Sequence, residues 1–451
     1  MNTTSKAIQN GQALPLGLVL LVAVAATIFF MFNSGQLVQE KIRLTNTADA
    51  VAYSAGVYEA RVLNYDAYTN RAMIANEIAI GQAVGLASWT KYAGVAADNI
   101  SPYAYLIPYV GAAIANALEE FADYVDIYTQ VLAYAVTLHD AVLQALSVSQ
   151  LLVHSSSLIS RSAVMDEVAK RNDPDVKIDH LFSLASDGFM GFTQRYGSQE
   201  ERKRMGQLVH DDRDRFLVRR NWQFPPLPRW ALCWLGLPDI KKRGSTELID
   251  LTEGWKSMDT VSIHQHWIKW TWSGPKCRSS ETPIGYGTAF SDDDLDDSDY
   301  SYANSRRDNP RSSEKADDTI AEGFEPITIG GGAIPSFYDL SEKTMKDMPK
   351  DPRATLAIRV TKVTAKQKFS GGDSIIKPAG RLELFAGNQA KGVSAAISNV
   401  EVFFERPDGN NPLFGKEEYG NLFNPYWQVR IAPVTLAHRT LAYLRQGLTL
   451  P

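Results

Sequence analysis

From residue 7 to residue 39 the chain carries no charged side chain. The apolar centre of that stretch, 14–32 (LPLGLVLLVAVAATIFFMF), has the roughly 20 residues that a helix needs to cross about 30 Å of bilayer hydrocarbon. No proline falls between Pro15 and Pro102, so the same helix is free to run on past the membrane surface. The pattern predicts one continuous or gently kinked helix over about 14–97, weakest at Asn33-Ser34-Gly35. A cleavable signal peptide is the other reading of the apolar run. The run exceeds the usual h-region of about 7–15 residues and its polar exit is a poor cleavage site, which favours a retained anchor.

Helical spacing continues beyond the span. Ala48, Ala52, Ala55 and Ala60 approximate one narrow face, which Val51, Val57 and Leu63 widen. Small residues let another helix approach closely, so these four alanines together with Asn64 form the predicted helix-packing interface. Asn46, Asn64, Asn70 and Asn76 are indifferent helix formers; each reads either as a register-setting contact or as part of a solvated face. A second proline-free run over 109–173 predicts a helix packing back on the first. Within 105–117 the apolar piece is too short to cross a membrane and contains Pro108. Residues 198–221 read as one charged surface helix with Met205, Leu208, Val209, Phe216 and Leu217 on its inner side.

After Phe224-Pro225-Pro226-Leu227-Pro228 the period of the apolar positions drops to two. Strands are predicted at 261–272, 355–363, 381–386, 399–405 and 427–431. The acidic, serine-rich segment 291–318 reads as a flexible loop, and 433–446 as a helix ended by Gly447. The predicted fold class is α+β: an N-terminal transmembrane helix continuing into a long helical stalk and helical region, then a β-rich C-terminal domain. The divisions expected are a short cytoplasmic tail (1–12), an anchor (13–33), a stalk (34–100), a helical domain (101–223) and a β-rich domain (224–451).

Composition narrows the chemistry. The 451 residues carry a net charge of −5, which argues against a nucleic-acid binder. Cys233 and Cys277 are too few for a disulfide scaffold or an all-cysteine zinc site; they should be bonded to each other or far apart as buried thiols, with no metal between them. His264 and His266 share one face of a strand and could chelate a metal, but Ile268, Trp270 and Trp272 continue that face as an apolar sheet surface, the preferred reading. The aspartates 292, 293, 294, 296, 297 and 299 lack calcium-loop spacing, and Gly330-Gly331-Gly332 is a turn rather than a phosphate cradle. Neither a G-x-S-x-G elbow nor an H-E-x-x-H helix occurs. No catalytic residue, cofactor or metal ligand is assigned, and a non-enzyme is expected.

Gly11-Gln12-Ala13 leading into the apolar helix, then 43–56 (RLTNTADAVAYSAG) with Asn46 and Asp49, resembles the TadE/G-like family of Tad (Flp) pilus assembly. Residues 60–77 (ARVLNYDAYTNRAMIANE), with Asn70 and Arg71, are similar to the longer TadG-related members. So are residues 421–433 (NLFNPYWQVRIAP), with Asn424, Pro425 and Trp427. The resemblance implies a non-catalytic pilus-assembly component, anchored by a single pass in a bacterial inner membrane, with its body periplasmic or at the cell surface. That outweighs the local charge, where Lys41 and Arg43 against Lys6 lean toward a cytosolic body. It also implies other Tad assembly proteins and inner-membrane lipid as partners, with homo- or hetero-oligomers formed through the N-terminal helix. A cut after Gly11 would put Leu16, not the glutamate of processed pilins, at the fifth mature position. The alternative is a membrane-tethered periplasmic enzyme or metal-binding protein that uses the histidine-bearing strand.

Overall fold

The computed structural model describes residues 13–292, 305–318, 324–328, 330, 333–368, 373–376, 392–406 and 418–447. Two long helices come first, α1 (Ala13–Ala104) and α2 (Gly111–Asn172). Short elements follow: β1 (Val176–Ile178), α3 (His180–Ala185), β2 (Thr193–Tyr196), α4 (Gln199–Asp211), α5 (Arg215–Val218), β3 (Trp222–Phe224) and α6 (Arg229–Leu235). The long strands β4 (Asp239–Ile249), β5 (Gly254–Thr271) and β6 (Gly274–Phe290) precede α7 (Ser305–Asp308) and α8 (Pro310–Asp317). Last come β7 (Phe337–Leu340), α9 (Glu342–Asp347), β8 (Arg353–Val363), β9 (Val393–Phe404), β10 (Trp427–Ala432) and α10 (Leu436–Gln446).

The predicted α+β class holds, and α1 passes Asn33-Ser34-Gly35 without a break and extends beyond residue 97. Other expectations need correction. The charged stretch 198–221 is two helices. Ser198 opens α4 with a capping box to Glu201, and the Asp214 carboxylate accepts from Leu217 N (2.8 Å) to start α5. The segment 291–318 is not all loop, because α7 and α8 fold there with Ser305, Ser312, Ser313 and Ala316 buried. Glu281 fixes α8 by accepting from Arg311 N (2.8 Å) and Ser312 N (3.0 Å), and the buried side chains are small enough to lie against the sheet. Strands β4 and β6 carry no clean apolar alternation, which is why they were not predicted. In β4 the buried positions include Lys242, Ser245 and Thr246; Lys242 pairs with Asp259, and the Thr246 hydroxyl donates to Ser257 Oγ (3.0 Å). The predicted strand 381–386, Gly11, Gln12, Gly331, Gly332 and the aspartates beyond Asp292 lie outside the described residues.

The chain divides into two compact units. One comprises Met1–Tyr65, Val153–Gln194 and Leu340–Pro451, the other Asp66–Leu152 and Arg195–Asp339. Residues 224–451 therefore do not make one β-rich domain: they supply a separate sheet to each unit, and each sheet lies against its own stretch of the long helices.

In the first unit the antiparallel sheet runs β1-β8-β9-β10. Ala48, Ala52 and Ala55 of α1 are wholly buried in one cluster with Met165 and Ala169 of α2 and Leu356, Ile358, Val360 and Val400 of the sheet. Gly56 marks how close the sheet comes: a Cβ there would lie 2.5 Å from Val429 Cγ2 and 2.6 Å from Val400 Cγ2. The small-residue face predicted to receive a partner helix is thus filled by the chain's own α2 and sheet.

In the second unit the antiparallel sheet runs β3-β4-β5-β6. Trp255 of β5 is fully buried, and a Cβ at Gly81 of α1 would sit 2.9 Å from its ring. The polar centre of this sheet is Asp259, which accepts from Arg220 (2.7 Å) and Ser88 (2.9 Å) and pairs with Lys242. Burial pushes the Asp259 carboxyl up, but the two cations win and hold it below the usual carboxylate range.

Ala52→Leu should destabilise the first unit by about 1–3 kcal/mol, since an isobutyl group has no room between helix and sheet. Thermal unfolding and limited proteolysis of purified protein check this. The equivalent change at exposed Asn46 should leave both readouts unchanged.

Candidate functional site: the anchor and the sheet-bearing face of the first helix

The leading part of α1 is the most apolar helical window among the described residues, with mean hydropathy 2.6 and none of it buried by the rest of the chain. Leu14, Leu16, Leu21 and Met31 are each more than three-fifths exposed. Thr27 spends its hydroxyl on Ala23 O (2.9 Å), so it adds no unsatisfied polar group to this surface. The helix is long and apolar enough to cross a membrane. A stretch of α2 is also long and apolar enough to cross a membrane, but a third of it is buried within the fold.

The motif residues separate by environment. Asn46 and Arg71 are exposed, and Asp49 is half-buried. Asn64 makes the contact that joins the two stretches in the first unit. Its Nδ2 donates to Trp427 O (3.0 Å), and its Oδ1 accepts from Trp427 N (3.0 Å). These residues are 363 positions apart. β10 is the edge strand of its sheet, and the Asn64 amide supplies the donor and acceptor that a further strand would have offered there.

Trp427 is buried edge-on against Phe192 (5.7 Å) and Phe404 (5.6 Å), with its indole N–H on Asn421 O (3.0 Å). Asn424 and Pro425 form the turn leading into it, where Tyr426 N donates to Asn424 O (3.1 Å). In the second unit, Asn70 is fully buried. It donates to Tyr338 O (2.9 Å) and accepts from Gln150 Nε2 (2.8 Å). Of the two readings left open for the asparagines, Asn64 and Asn70 are contacts and Asn46 is solvated.

Sequence reasoning missed the buried charges of the first unit. Lys362, near the C-terminal end of β8, donates to Glu40 of α1 (3.1 Å) and to Asp173 (2.9 Å). Burial works against its charge, and the two carboxylates more than offset it, so its pKa is raised. The only signals in the sequence were that Glu40 is the first charge after the span and that Lys362 interrupts an apolar strand. Glu40 and Lys362 border a cavity of about 610 Å³, lined also by Leu37, Lys41, Arg359, Arg439 and Tyr443. Elsewhere in this unit, Arg161 links Glu59 (2.8 Å) to Asp187.

His264 and His266 do share a buried face, as the alternation requires. Each ring is tied to a protein acceptor, His264 Nε2 to Asn309 Oδ1 and His266 Nε2 to Asp239 Oδ1, both at 2.9 Å. The face does not continue as an apolar sheet surface, because Trp270 and Trp272 are 72% and 109% exposed. β4 begins at Asp239, opposite His264, so beyond that point only β6 pairs with β5 and the hairpin runs out into solvent. Cys233 and Cys277 are bonded, with Cα atoms 5.7 Å apart.

Residues 11–61 match the Tad family model, described as "Putative Flp pilus-assembly TadE/G-like". No curated protein and no solved structure matches the chain. The matched segment thus holds the uncovered apolar span and the alanine face that carries the first unit's sheet.

Asn64→Ala should cost about 1–3 kcal/mol, because it strands the N–H and C=O of Trp427 at the sheet edge. Thermal unfolding reads the loss, and tryptophan fluorescence reads the loosening around Trp427. A second expectation concerns Glu77. Burial lifts its carboxyl to about 8, although the Trp255 indole N–H donates to its Oε2 (3.1 Å). The folded protein therefore keeps a proton that the unfolded chain releases near 4.5, and stability should fall as pH rises from about 4.5 to about 8. Glu77→Gln keeps an acceptor for the indole and cannot ionise. Its thermal midpoint should change less with pH over this window than that of the unsubstituted protein.

Proposed function

We propose that this chain, whose N-terminal segment is TadE/G-like, is a membrane-anchored, non-catalytic component of Flp pilus assembly. One observation carries the reading: the family-matched segment divides into a bare apolar span and a small-residue face already occupied by the chain's own body. The span is then the part free to meet other membrane helices, and Ala48, Ala52, Ala55, Ala60 and Asn64 hold the body to it. Oligomers through that alanine face would require the first unit to unpack, so we place contact with other Tad assembly proteins and with inner-membrane lipid on residues 13–33.

The family resemblance supports one pass with a short cytoplasmic N-terminus and a periplasmic or surface-exposed body. The Cys233–Cys277 disulfide fits an oxidising compartment. The most buried charges support a structural role. Asp259, Lys362 and Arg161 are each engaged by opposite charges within their own units.

The test is genetic. Deleting the gene in its own bacterium should abolish or strongly reduce Flp pili, and the full chain supplied in trans should restore them. A chain with 13–33 replaced by an unrelated apolar span of equal length should reach the membrane at normal levels yet fail to restore pili. Normal pili in the deletion strain would overturn the reading. Full restoration by the exchanged span would move the partner contact off the anchor.

A further inference from the structure

We propose that Cys233, Cys277 and His266 form a Zn²⁺ site in the dithiol form of the protein, a state that the disulfide excludes. The three side chains come from α6, β6 and β5 of one unit, and their ligand atoms lie within 4.8 Å of one another. Cys233 and His266 are buried and Cys277 is half-buried, which leaves an approach from the Cys277 side.

His266 is already arranged as a ligand. Its Nε2 is committed to Asp239 Oδ1 (2.9 Å), while its Nδ1 is buried without a hydrogen-bond partner among the described residues. A buried ring nitrogen with no partner calls for an explanation, and a cation would supply one. A carboxylate on the far nitrogen is the outer partner that metal-bound histidines ordinarily have. It keeps the proton on Nε2 and the lone pair on Nδ1. Asp239 is itself steadied by Gln223 Nε2 (2.8 Å) on its other oxygen. His264 takes no part, because its Nε2 is held by Asn309.

Thiolate and imidazole together select Zn²⁺ or Cu⁺ among common ions. Two thiolates and a neutral imidazole neutralise a dication, whereas a monocation would leave a net negative charge in a largely buried place, which is costly. Zinc is the better match, with water completing its fourth position. Zinc–sulfur bonds of about 2.3 Å and zinc–nitrogen bonds of about 2.0–2.1 Å set ligand atoms roughly 3.5–3.8 Å apart, so side-chain adjustments of about 1 Å assemble the site.

The two forms interconvert in balanced steps. A dithiol reductant gives two electrons and two protons to the disulfide, yielding two cysteine thiols and the oxidised, cyclic disulfide of the reductant. Zinc then displaces the two thiol protons to solvent as both sulfurs bind. A newly made chain begins in the dithiol form, so metal and oxidation compete for the same pair of sulfurs.

Full-length protein in detergent, reduced with dithiothreitol and freed of it without air, is titrated with Co²⁺ as a spectroscopic stand-in. One Co²⁺ per chain should bind with thiolate-to-metal charge-transfer absorption, two protons should be released per ion, and Zn²⁺ should displace it. The oxidised protein should give no such absorption. His266→Ala and Cys277→Ser should lose at least about tenfold in affinity and Asp239→Asn about 10–100-fold, with His264→Ala unchanged. Reduced protein with unaltered circular dichroism that binds no Co²⁺ would overturn the proposal. So would a Co²⁺ affinity unchanged by His266→Ala. Should a variant fail to fold, the unsubstituted protein decides: fewer than two protons released per ion rejects thiolate ligation.

Discussion

The structure depends on how closely a β-sheet can approach the backbone of α1. In each unit the helix meets a sheet through residues with little or no side chain, and larger groups from the sheet fill the space. Ala48, Ala52, Ala55 and Gly56 admit Val400, Val429 and their neighbours in the first unit; Gly81 admits the ring of Trp255 in the second. Dispersion and desolvation then act over large flat contacts at short range, which offsets the poor helix propensity of glycine and the small apolar area of alanine. It also explains why α1 lacks the wide leucine stripe of an ordinary amphipathic helix.

A second layer of specificity is polar. Where the sheet in the first unit ends in an open strand, the Asn64 side chain presents a donor and an acceptor at the right spacing. Lys362 carries a charge into the interior of the same unit, and Glu40 and Asp173 meet it from α1 and from the end of α2. In the second unit Asp259 plays the converse part, an anion held between Arg220 and Lys242. Removing one member of such a set leaves a buried charge unbalanced, a larger loss than the pair's own contribution to stability. Slipping β8 by one residue would take Lys362 away from its carboxylates, so these groups help to define register as well as to stabilise it.

Much of this was legible in the sequence, and what was not has identifiable causes. The two long helices announced themselves through proline-free runs, and β8, β9 and β10 through strict alternation. β4 escaped because Lys242, Ser245 and Thr246 occupy inward positions that pattern reading reserves for apolar residues. Helices α7 and α8 escaped because their buried surface is serine and alanine, which in an acidic stretch looks like loop. Asn64 and Trp427 were each singled out, but their meeting was not, since nothing local relates positions 363 residues apart. For the same reason His266 drew attention as a partner of His264, two residues away, while Cys233 and Cys277 stood closer in space.

The family-matched segment reads as one motif and answers to two solvents. Up to Phe32 most of its large apolar side chains are exposed, and their apolar character is what a hydrocarbon surround requires. From Leu44 onward the same helix is buried against protein, and size rather than hydrophobicity decides which residues fit. A leucine is welcome at position 20 and excluded at position 52, although both positions lie on one continuous helix. Glu40 stands between the two regimes, the first charge after the span, and its carboxylate is met at once by Lys362. Along 40–56 of the matched segment one face of the helix is set by the core of the first unit, while Lys41, Asn46 and Tyr53 on the other face stay exposed.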